Sequence, residues 1–312
     1  MKIAVGISGG VDSAVAALLL KRGGHSLTGV TMTLGRADEE KSLAEARAVA
    51  ARLGIELKVY DFSADWREKV LAYVKSEYLA ARTPNPCVRC NETVKMKLLP
   101  EFAFRELGAE VFATGHYARL EGGRLFRGKD PGKDQSYFLY RVPSAIRERT
   151  QLPLGGLTKR EVREIAREAG FEAAEREDSQ DFCGGDVKTL VGLEPREGKI
   201  ITSAGKVLGT HPGYWNYTVG KRKGLGIGGG IPYYVLKLNA ARNEVVVGFK
   251  EELLETRLEL KETLGRIDFS LPVKVRSAGE PKLLSEGIAG IAAGQSAVFY
   301  EGEEVVGGGI IA

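Results

Sequence analysis

The sequence predicts an α/β fold: a parallel sheet with flanking helices, followed by a small β-rich central domain and a C-terminal β-barrel. Three observations carry this. Through the first half, short apolar runs alternate with stretches whose apolar residues recur at helical spacing, the pattern of a parallel sheet wrapped by helices. A glycine-rich turn closes the first apolar run, where such sheets place their ligands. From Gly198 onward helical spacing disappears, and short strand-like runs punctuated by turns replace it. The expected division is 1–188, 189–255 and 256–312.

The first run, Ile3 to Ile7, leads through Ser8-Gly9-Gly10-Val11-Asp12-Ser13 into a second, Val11 to Leu20, which reads as strand, tight loop and helix. Ser26 to Leu34 reads as a second strand. Leu43, Ala46, Ala50 and Leu53 recur at helical spacing over Asp38 to Leu53, with Gly54 as the stop. Ile55 to Phe62 alternates as a strand does, and Asp65 to Arg82 returns to helix with Trp66, Val70, Tyr73 and Val74 on one side. Leu98 to Leu107 is a helix, Glu110 to Thr114 a strand, and Glu121-Gly122-Gly123-Arg124 a hairpin turn. Thr158-Lys159-Arg160-Glu161 is a capping box opening a helix to Ala169, stopped by Gly170, whose many charges read as a solvated face. Later strands are expected at Lys199 to Thr202, Lys206 to Leu208, Tyr233 to Leu238, Glu244 to Phe249, Leu271 to Arg276, Gly287 to Ala292, Ser296 to Tyr300 and Glu304 to Ile311.

Composition narrows the function classes. With 312 residues, 43% of them hydrophobic and 28% charged, the chain can bury a sizeable core, and it holds no apolar run of membrane-spanning length. Its start shows no signal-peptide pattern, so a cytoplasmic protein is expected. A net charge of +4 and pI near 8.8 permit a polyanionic partner. Three cysteines, an odd count, fit reactive or metal-binding thiols better than a disulfide scaffold.

The loop Ser8 to Ser13 suits phosphate. Gly9 and Gly10 leave the backbone open to close approach, amides at a helix start face an anion favoured by the macrodipole, and Ser8 and Ser13 add hydroxyls. Asp12 beside an anion makes sense if it helps hold a divalent metal or caps the helix. No Gly-Lys-Ser/Thr closes the loop, so it is not a Walker loop. The whole string resembles the loop of the ATP-pyrophosphatase superfamily, which implies that ATP is split between its α and β phosphates and that a substrate oxygen is adenylated. An ordinary strand-to-helix turn is the alternative.

Further motifs follow. Thr83-Pro84-Asn85-Pro86-Cys87-Val88-Arg89-Cys90-Asn91 reads as a stiff, exposed loop holding two thiols in C-x-x-C spacing, with a helix starting at Asn91. That helix, Arg89 and Lys95 are expected to lower a thiol pKa. Half of a zinc site is the alternative, but no second C-x-x-C follows and His25, His116 and His211 are scattered. Met32 sits where it can pack on a base or in the core. Gly115 permits close backbone approach, and His116 is either a phosphate contact or a satisfied structural histidine. Between Lys129 and Arg141, Lys133, Asp134, Gln135 and Ser136 are interleaved with Tyr137, Phe138 and Tyr140. This suits RNA, or a solvated loop followed by a core strand. Cys183 is a lone third thiol, and Tyr217 to Gly226 is a basic, glycine-rich segment suited to an RNA backbone.

Taken together, the chain resembles the bacterial tRNA-specific 2-thiouridylase family. The resemblance is carried by Gly6 to Ser13, Thr83 to Pro86 with Cys90-Asn91, Thr114-Gly115-His116-Tyr117-Ala118, Lys133 to Leu139, Asp178-Ser179-Gln180 with Cys183, Tyr217 to Gly226, Gly294 to Tyr300 and Gly307 to Ile311. It implies an adenine nucleotide alpha hydrolase-like catalytic domain over 1–188, tRNA binding by the central domain, and sulfur insertion at C2 of a wobble uridine, with ATP and Mg²⁺ as cofactors. Gly6, Ile7, Ser8, Gly9, Gly10, Val11, Asp12, Ser13, Met32 and Gly115 would hold ATP. Asn85, Pro86 and Cys87 would face the target base. Lys133, Asp134 and Gln135, with Arg276 and Ser277 in the barrel, would touch tRNA. Asp12 would act in catalysis, with Cys90 as nucleophile and Cys183 as the persulfide-bearing cysteine.

Two departures matter. Cys87 replaces an aspartate common in the family, which opens a second route: Cys87, Cys90 and Cys183 as three ligands of a [4Fe-4S] cluster with one iron open to sulfide. The section after Cys183 is shortened to Gly184-Gly185-Asp186, which bears on docking of a sulfur donor, whether cysteine desulfurase, relay protein or free sulfide. Two other classes stay open. One is another ATP-pyrophosphatase, of the tRNA lysidine synthetase or amidotransferase synthetase type; the other is a non-catalytic RNA-binding protein with structural zinc.

Overall fold

Apolar runs too short for helices form the sheet of the first unit. In a computed structural model that describes all residues except 38, 173–185 and 229–231, the chain divides into two units. Met1–Val70, Cys87–Gly185 and Gly302–Val305 form the first; Leu71–Pro86, Asp186–Glu301 and Val306–Ala312 form the second.

In the first unit β1 (Lys2–Gly6), α1 (Val11–Arg22), β2 (Ser26–Thr33), α2 (Glu39–Leu53) and β3 (Glu56–Asp61) alternate as the spacing predicts. Helix α3 (Ser63–Trp66) continues through a wide π turn, Arg67–Leu71, into α4 (Ala72–Leu79), which is counted with the second unit. Then come α5 (Pro86–Cys90), a π-helical stretch Asn91–Leu98, α6 (Leu99–Leu107), β4 (Val111–Ala113), β5 (Ala118–Glu121) and β6 (Arg124–Arg127). After these follow α7 (Ser136–Leu139), α8 (Ser144–Arg147), β7 (Thr150–Gln151) and α9 (Lys159–Glu168).

The sheet order is β3-β2-β1-β4-β7, all parallel, so β1 is central and the turn after it lies beside the reversal of strand order. Ile3, Val5 and Ile7 pack with Val11, Val15, Leu20 and Ala50 in one core. Each valine, leucine or isoleucine among them contributes about 1.5–3 kcal/mol when removed from water. Strands β5 and β6 form the expected hairpin, with Gly122 and Gly123 at φ +58° and +78°, a turn glycine adopts without strain.

The second unit is β-rich. In its central part β8 (Gly198–Thr202), β9 (Val207–His211), β10 (Tyr234–Asn239) and β11 (Glu244–Gly248) form a sheet in the order β10-β11-β8-β9 over a core of Ile200, Trp215, Tyr217, Val235 and Val245. Its last part is an antiparallel half-barrel in which Val273–Lys274 pairs with Ser296–Glu301, closed around Val273, Leu284, Ala297 and Phe299. Arg276, exposed at its end, donates through Nη2 to the carbonyls of Val219 (2.8 Å) and Gly290 (2.9 Å), with exposed Ser277 beside it. The Gly294-Gln295 turn receives the segment before the cysteines: Thr83 N donates to Ala293 O at 2.7 Å, and Gln295 Nε2 to the carbonyls of Thr83 (3.2 Å) and Pro84 (3.4 Å). Among the described residues no helix is long and apolar enough to cross a membrane.

Candidate active site

The glycine-rich turn is built from its own side chains. Ser13 Oγ donates to the Gly10 carbonyl (2.9 Å) and lies 3.2 Å from both the amide and the hydroxyl oxygen of Ser8. Gly9 sits at φ +86°, and a Cβ there would lie 2.5 Å from Glu45 Cβ, so the position excludes any side chain. Gly10 is the N-cap of α1 and has no side-chain cap, which leaves the first-turn amides for an anion. Asp12 is therefore not the cap. It stands in the first turn, its carboxylate accepting from Lys159 Nζ at 2.7 and 2.9 Å and from the Tyr117 hydroxyl at 2.7 Å.

This pair corrects the expectation that the charges opening α9 are a solvated face. The capping box forms, with Thr158 and Glu161 exchanging bonds, but Lys159 is buried. A lysine at the positive end of a helix dipole is unfavourable by itself. That anomaly is the signal the sequence held for a carboxylate partner elsewhere.

The segment leaving β4 presses on the loop. A Cβ on Gly115 would lie 2.7 Å from the Asp12 carbonyl carbon, so only glycine fits. Met32, half-buried, lies next to last in β2, registered with Tyr60. His116 is buried, its Nδ1 2.7 Å from Thr114 Oγ1 and its Nε2 3.4 Å from Lys95 Nζ. An ammonium only donates, so Nε2 accepts and the ring proton sits on Nδ1, bonded to Thr114. Burial, with Lys95 adding to it, holds the imidazole well below its ordinary pKa and therefore neutral.

The C-x-x-C segment is a helix, not an exposed loop. Two prolines do end the preceding helix, but Pro86 has the fixed φ and missing N–H that suit a first helical position, so α5 begins there and not at Asn91. Cys87 and Cys90 stand one turn apart as thiols, Cys90 1% exposed and Cys87 half-buried. Burial pushes the Cys87 thiol up, and Lys95 only partly opposes this, which reverses the expected lowering for this residue. Lys95 is half-buried; burial lowers its pKa, against the pull of Cys90 and Cys87. Asn91 Nδ2 donates to the Phe138 carbonyl at 3.2 Å.

In the segment with the aromatics, Ser136 to Leu139 is a short helix in place of a core strand. Asp134 is buried and accepts from the amides of Gly128 (3.1 Å) and Ser136 (3.0 Å) and from Ser136 Oγ (3.0 Å). Gln135 exchanges bonds with the Tyr117 backbone (2.8 and 2.9 Å). Asp134 and Gln135 thus brace the site from within, while Lys133 is half-exposed. Cys183, with Asp178-Ser179-Gln180, lies outside the described residues.

The arrangement can hold a triphosphate at the loop and carry out thiol chemistry on α5. A magnesium ion fits as a companion of the nucleotide: Asp12 is one carboxylate at the loop's end, and Mg²⁺ ordinarily takes one or two carboxylates plus phosphates and water. For an iron–sulfur cluster the described residues supply two thiols; they contain no group of three metal-ligating side chains.

Comparison with known proteins shows the lineage. Family models match residues 1–184 (tRNA methyl transferase HUP domain), 191–249 (tRNA methyl transferase PRC-barrel domain) and 268–311 (aminomethyltransferase beta-barrel domain). The tRNA-specific 2-thiouridylase MnmA of Acidithiobacillus ferrooxidans is 42% identical over 99% of this chain and 98% of its own. The protein of the same name from Endomicrobium trichonymphae is 38% identical over 100% and 99%. Among solved structures, a 4-thiouridine synthetase–RNA complex with bound ATP overlays with a TM-score of 0.42 at 19% identity, over 56% of this chain and 42% of that one. With relatives matched end to end at this identity, the chain belongs to the tRNA-specific 2-thiouridylase family.

Proposed function

We propose that this chain is a tRNA-uridine 2-sulfurtransferase that uses ATP to replace the C2 oxygen of a wobble uridine by sulfur. The observation that carries the reading is the end-to-end match to 2-thiouridylases, and the phosphate-ready loop and the thiols of Cys87 and buried Cys90 in one unit supply matching chemistry. A uracil C2 carbonyl is a poor electrophile. In this reading the amides at the start of α1 and the hydroxyls of Ser8 and Ser13 hold the β and γ phosphates, and Gly115 leaves room for the nucleotide beside the loop. Mg²⁺, held by Asp12, would neutralise charge on the pyrophosphate. The C2 oxygen attacks the α phosphorus, pyrophosphate leaves, and sulfur then displaces AMP at C2. Cys183 brings the sulfur as a persulfide. Cys90 either attacks that persulfide to release sulfide or resolves it to a Cys90–Cys183 disulfide.

In the same reading Asn85, Pro86 and Cys87 face the target base, while Lys133, Arg276 and Ser277 contact tRNA. Met32 packs on the adenine, residues 1–188 form the catalytic domain, and 189–255 and 256–312 form the two following domains. The enzyme works in the cytoplasm, beside its tRNA, and takes persulfide sulfur from a desulfurase or a relay protein; free sulfide, already reduced, suits only a route without a persulfide. A second reading, favoured by Cys87 standing one turn from Cys90, gives both thiols with Cys183 to a [4Fe-4S] cluster; iron and acid-labile sulfide analysis after anaerobic purification separates it from the first.

The test incubates the protein with ATP, unmodified tRNA and a cysteine desulfurase with cysteine, which delivers sulfur already at the persulfide level, and measures 2-thiouridine by mass spectrometry of digested tRNA. Asp12→Ala, Cys90→Ser and Cys183→Ser should each abolish it. Full activity in Cys183→Ser would count against the persulfide route. Pyrophosphate release with small amides but not tRNA would move the chain to another ATP-pyrophosphatase class.

A further inference from the structure

The thiolation step needs a second anion site, distinct from the loop. In the first half-reaction the leaving group is pyrophosphate, and the loop faces it. In the second, a sulfur lone pair forms the S–C2 bond and the C2–O bond breaks with its electron pair on oxygen. That oxygen departs as part of AMP, so charge gathers beside the thiols.

Among the described residues of the first unit, Lys95 is a cation that stands there. Lys95 is five residues beyond Cys90, a separation that would swing it well off the cysteine's face of an α-helix. Asn91–Leu98 is π-helical, however, and its i to i+5 turn brings the two residues onto one side. A kink at Met96 (φ −111°, ψ 22°), inside the same stretch, follows directly after the lysine. Lys95 lies within electrostatic reach of Cys90 and Cys87, and among the described residues no carboxylate forms an ion pair with it. Lys159 is already engaged by Asp12. Lys95 donates to His116, and the same tetrapeptide, Thr114 to Tyr117, meets the loop through Gly115 and Tyr117. One short segment therefore ties the lysine to both the nucleotide loop and the thiol helix.

We propose, resting on the reading of the function above, that Lys95 is the cation that receives the departing adenylate, with His116 as its positioning residue. Lys95 transfers no proton in this step: the hydrogen of an attacking hydrosulfide ends on N3 of the base, which lost its own proton on adenylation, and the lysine keeps its charge. The ammonium offsets the charge that appears on the leaving oxygen, as a preorganised donor does for an oxyanion.

The experiment separates the half-reactions in the full-length protein. Adenylation is followed as tRNA-dependent exchange of labelled pyrophosphate into ATP and as label from [α-³²P]ATP retained on tRNA; thiolation is followed as 2-thiouridine. Lys95→Met should lower thiolation about 100-fold, the scale of one lost oxyanion donor, with exchange kept within about threefold and adenylated tRNA accumulating. Lys95→Arg should recover part of the thiolation, and His116→Gln should lose less than Lys95→Met. If Lys95→Met fails to fold, Lys95→Arg decides: it lowers thiolation alone if the proposal holds and neither half-reaction if the lysine is a structural cation. Equal loss of both half-reactions, or unchanged thiolation, overturns the proposal. If the wild-type chain neither exchanges pyrophosphate nor forms 2-thiouridine with tRNA, the reading of the function falls first.

Discussion

Lys159 Nζ lies 2.7 and 2.9 Å from the two carboxylate oxygens of Asp12, joining residues 147 positions apart in the chain. The pair fixes the first turn of α9 to the first turn of α1, and Tyr117 adds a hydroxyl at 2.7 Å. Two helix starts thus meet at one carboxylate. Its charge offsets a lysine that would otherwise face the positive end of its own helix.

Among the described residues, removing the lysine should leave that carboxylate with the Tyr117 hydroxyl. The side chain of Asp12 is 34% exposed and that of Lys159 is 11% exposed, so solvent screens part of the loss. Lys159→Met is expected to cost about 1–2 kcal/mol, below the upper end for a charged hydrogen bond. The Asp12→Asn/Lys159→Met double variant should be less destabilised than the sum of the two singles. Urea unfolding read from Trp66, 2% exposed in the first unit, measures this in a Trp215→Phe background. Strict additivity, within about 0.5 kcal/mol, would show that the two groups are not coupled.

Gly115 tests the close approach of β4's exit to the loop. With a Cβ 2.7 Å from the Asp12 carbonyl carbon and 2.8 Å from its oxygen, alanine must displace backbone and not a flexible side-chain tip. Gly115→Ala should weaken ATP binding by at least ~10-fold, about 1.4 kcal/mol, measured by isothermal titration calorimetry. Gly156→Ala, where a Cβ meets nothing, should leave it unchanged. Equal affinity in both variants would show that the loop yields at little cost.

The sheet was legible because its signal is local: apolar runs of strand length alternate with helical spacing, and Gly122-Gly123 has one favoured turn. Gly6 to Ser13 was legible for the same reason, since a strand, a turn and a helix start are all read within a dozen residues. The environment of the thiols was not. Pro84 and Pro86 signal a break, but a proline also opens helices, and only the fold decides which role prevails. Lys159 and Lys95 draw their meaning from Asp12 and His116, which lie far off in sequence, so periodicity carries no trace of either contact. Asp134, expected at the RNA, turned inward because three nearby donors of its own loop compete for the carboxylate.

His116 gives a pH dependence. Burial holds its folded pKa well below the ordinary 6.5, so the unfolded chain binds a proton that the folded chain refuses. Its contribution is present in full above the unfolded pKa and is lost as pH falls from there toward the folded value. Stability of the first unit should therefore drop on acidification below about pH 6.5, and His116→Gln should flatten that part of the curve. Urea midpoints at pH 7.5 and 5.5, read from Trp66, make the comparison. An identical slope in wild type and variant would remove His116 as the cause.

Glu161 tests the start of α9 over a lower range. Its carboxylate accepts from the Thr158 amide (2.6 Å), the Thr158 hydroxyl (2.8 Å) and Lys129 Nζ (3.1 Å), and these bonds hold its pKa down at about 2 from an ordinary 4.5. For a carboxylate lowered in the folded state, the stabilisation is complete above the unfolded value. It disappears as pH falls through 4.5 toward 2. Glu161→Gln keeps a side chain able to cap but removes the charge. The difference between wild type and variant should be largest at neutral pH and shrink progressively below pH 4.5. Thr158→Ala, which removes the cap hydroxyl, should cost about 1 kcal/mol at neutral pH. Hydrogen exchange of the α9 amides, followed by mass spectrometry from pH 7 to 3 and corrected for intrinsic rates, reads both effects where they act. A gap between wild type and Glu161→Gln that stays constant over that range would mean that the bonds to Thr158 and Lys129 do not depend on the charge.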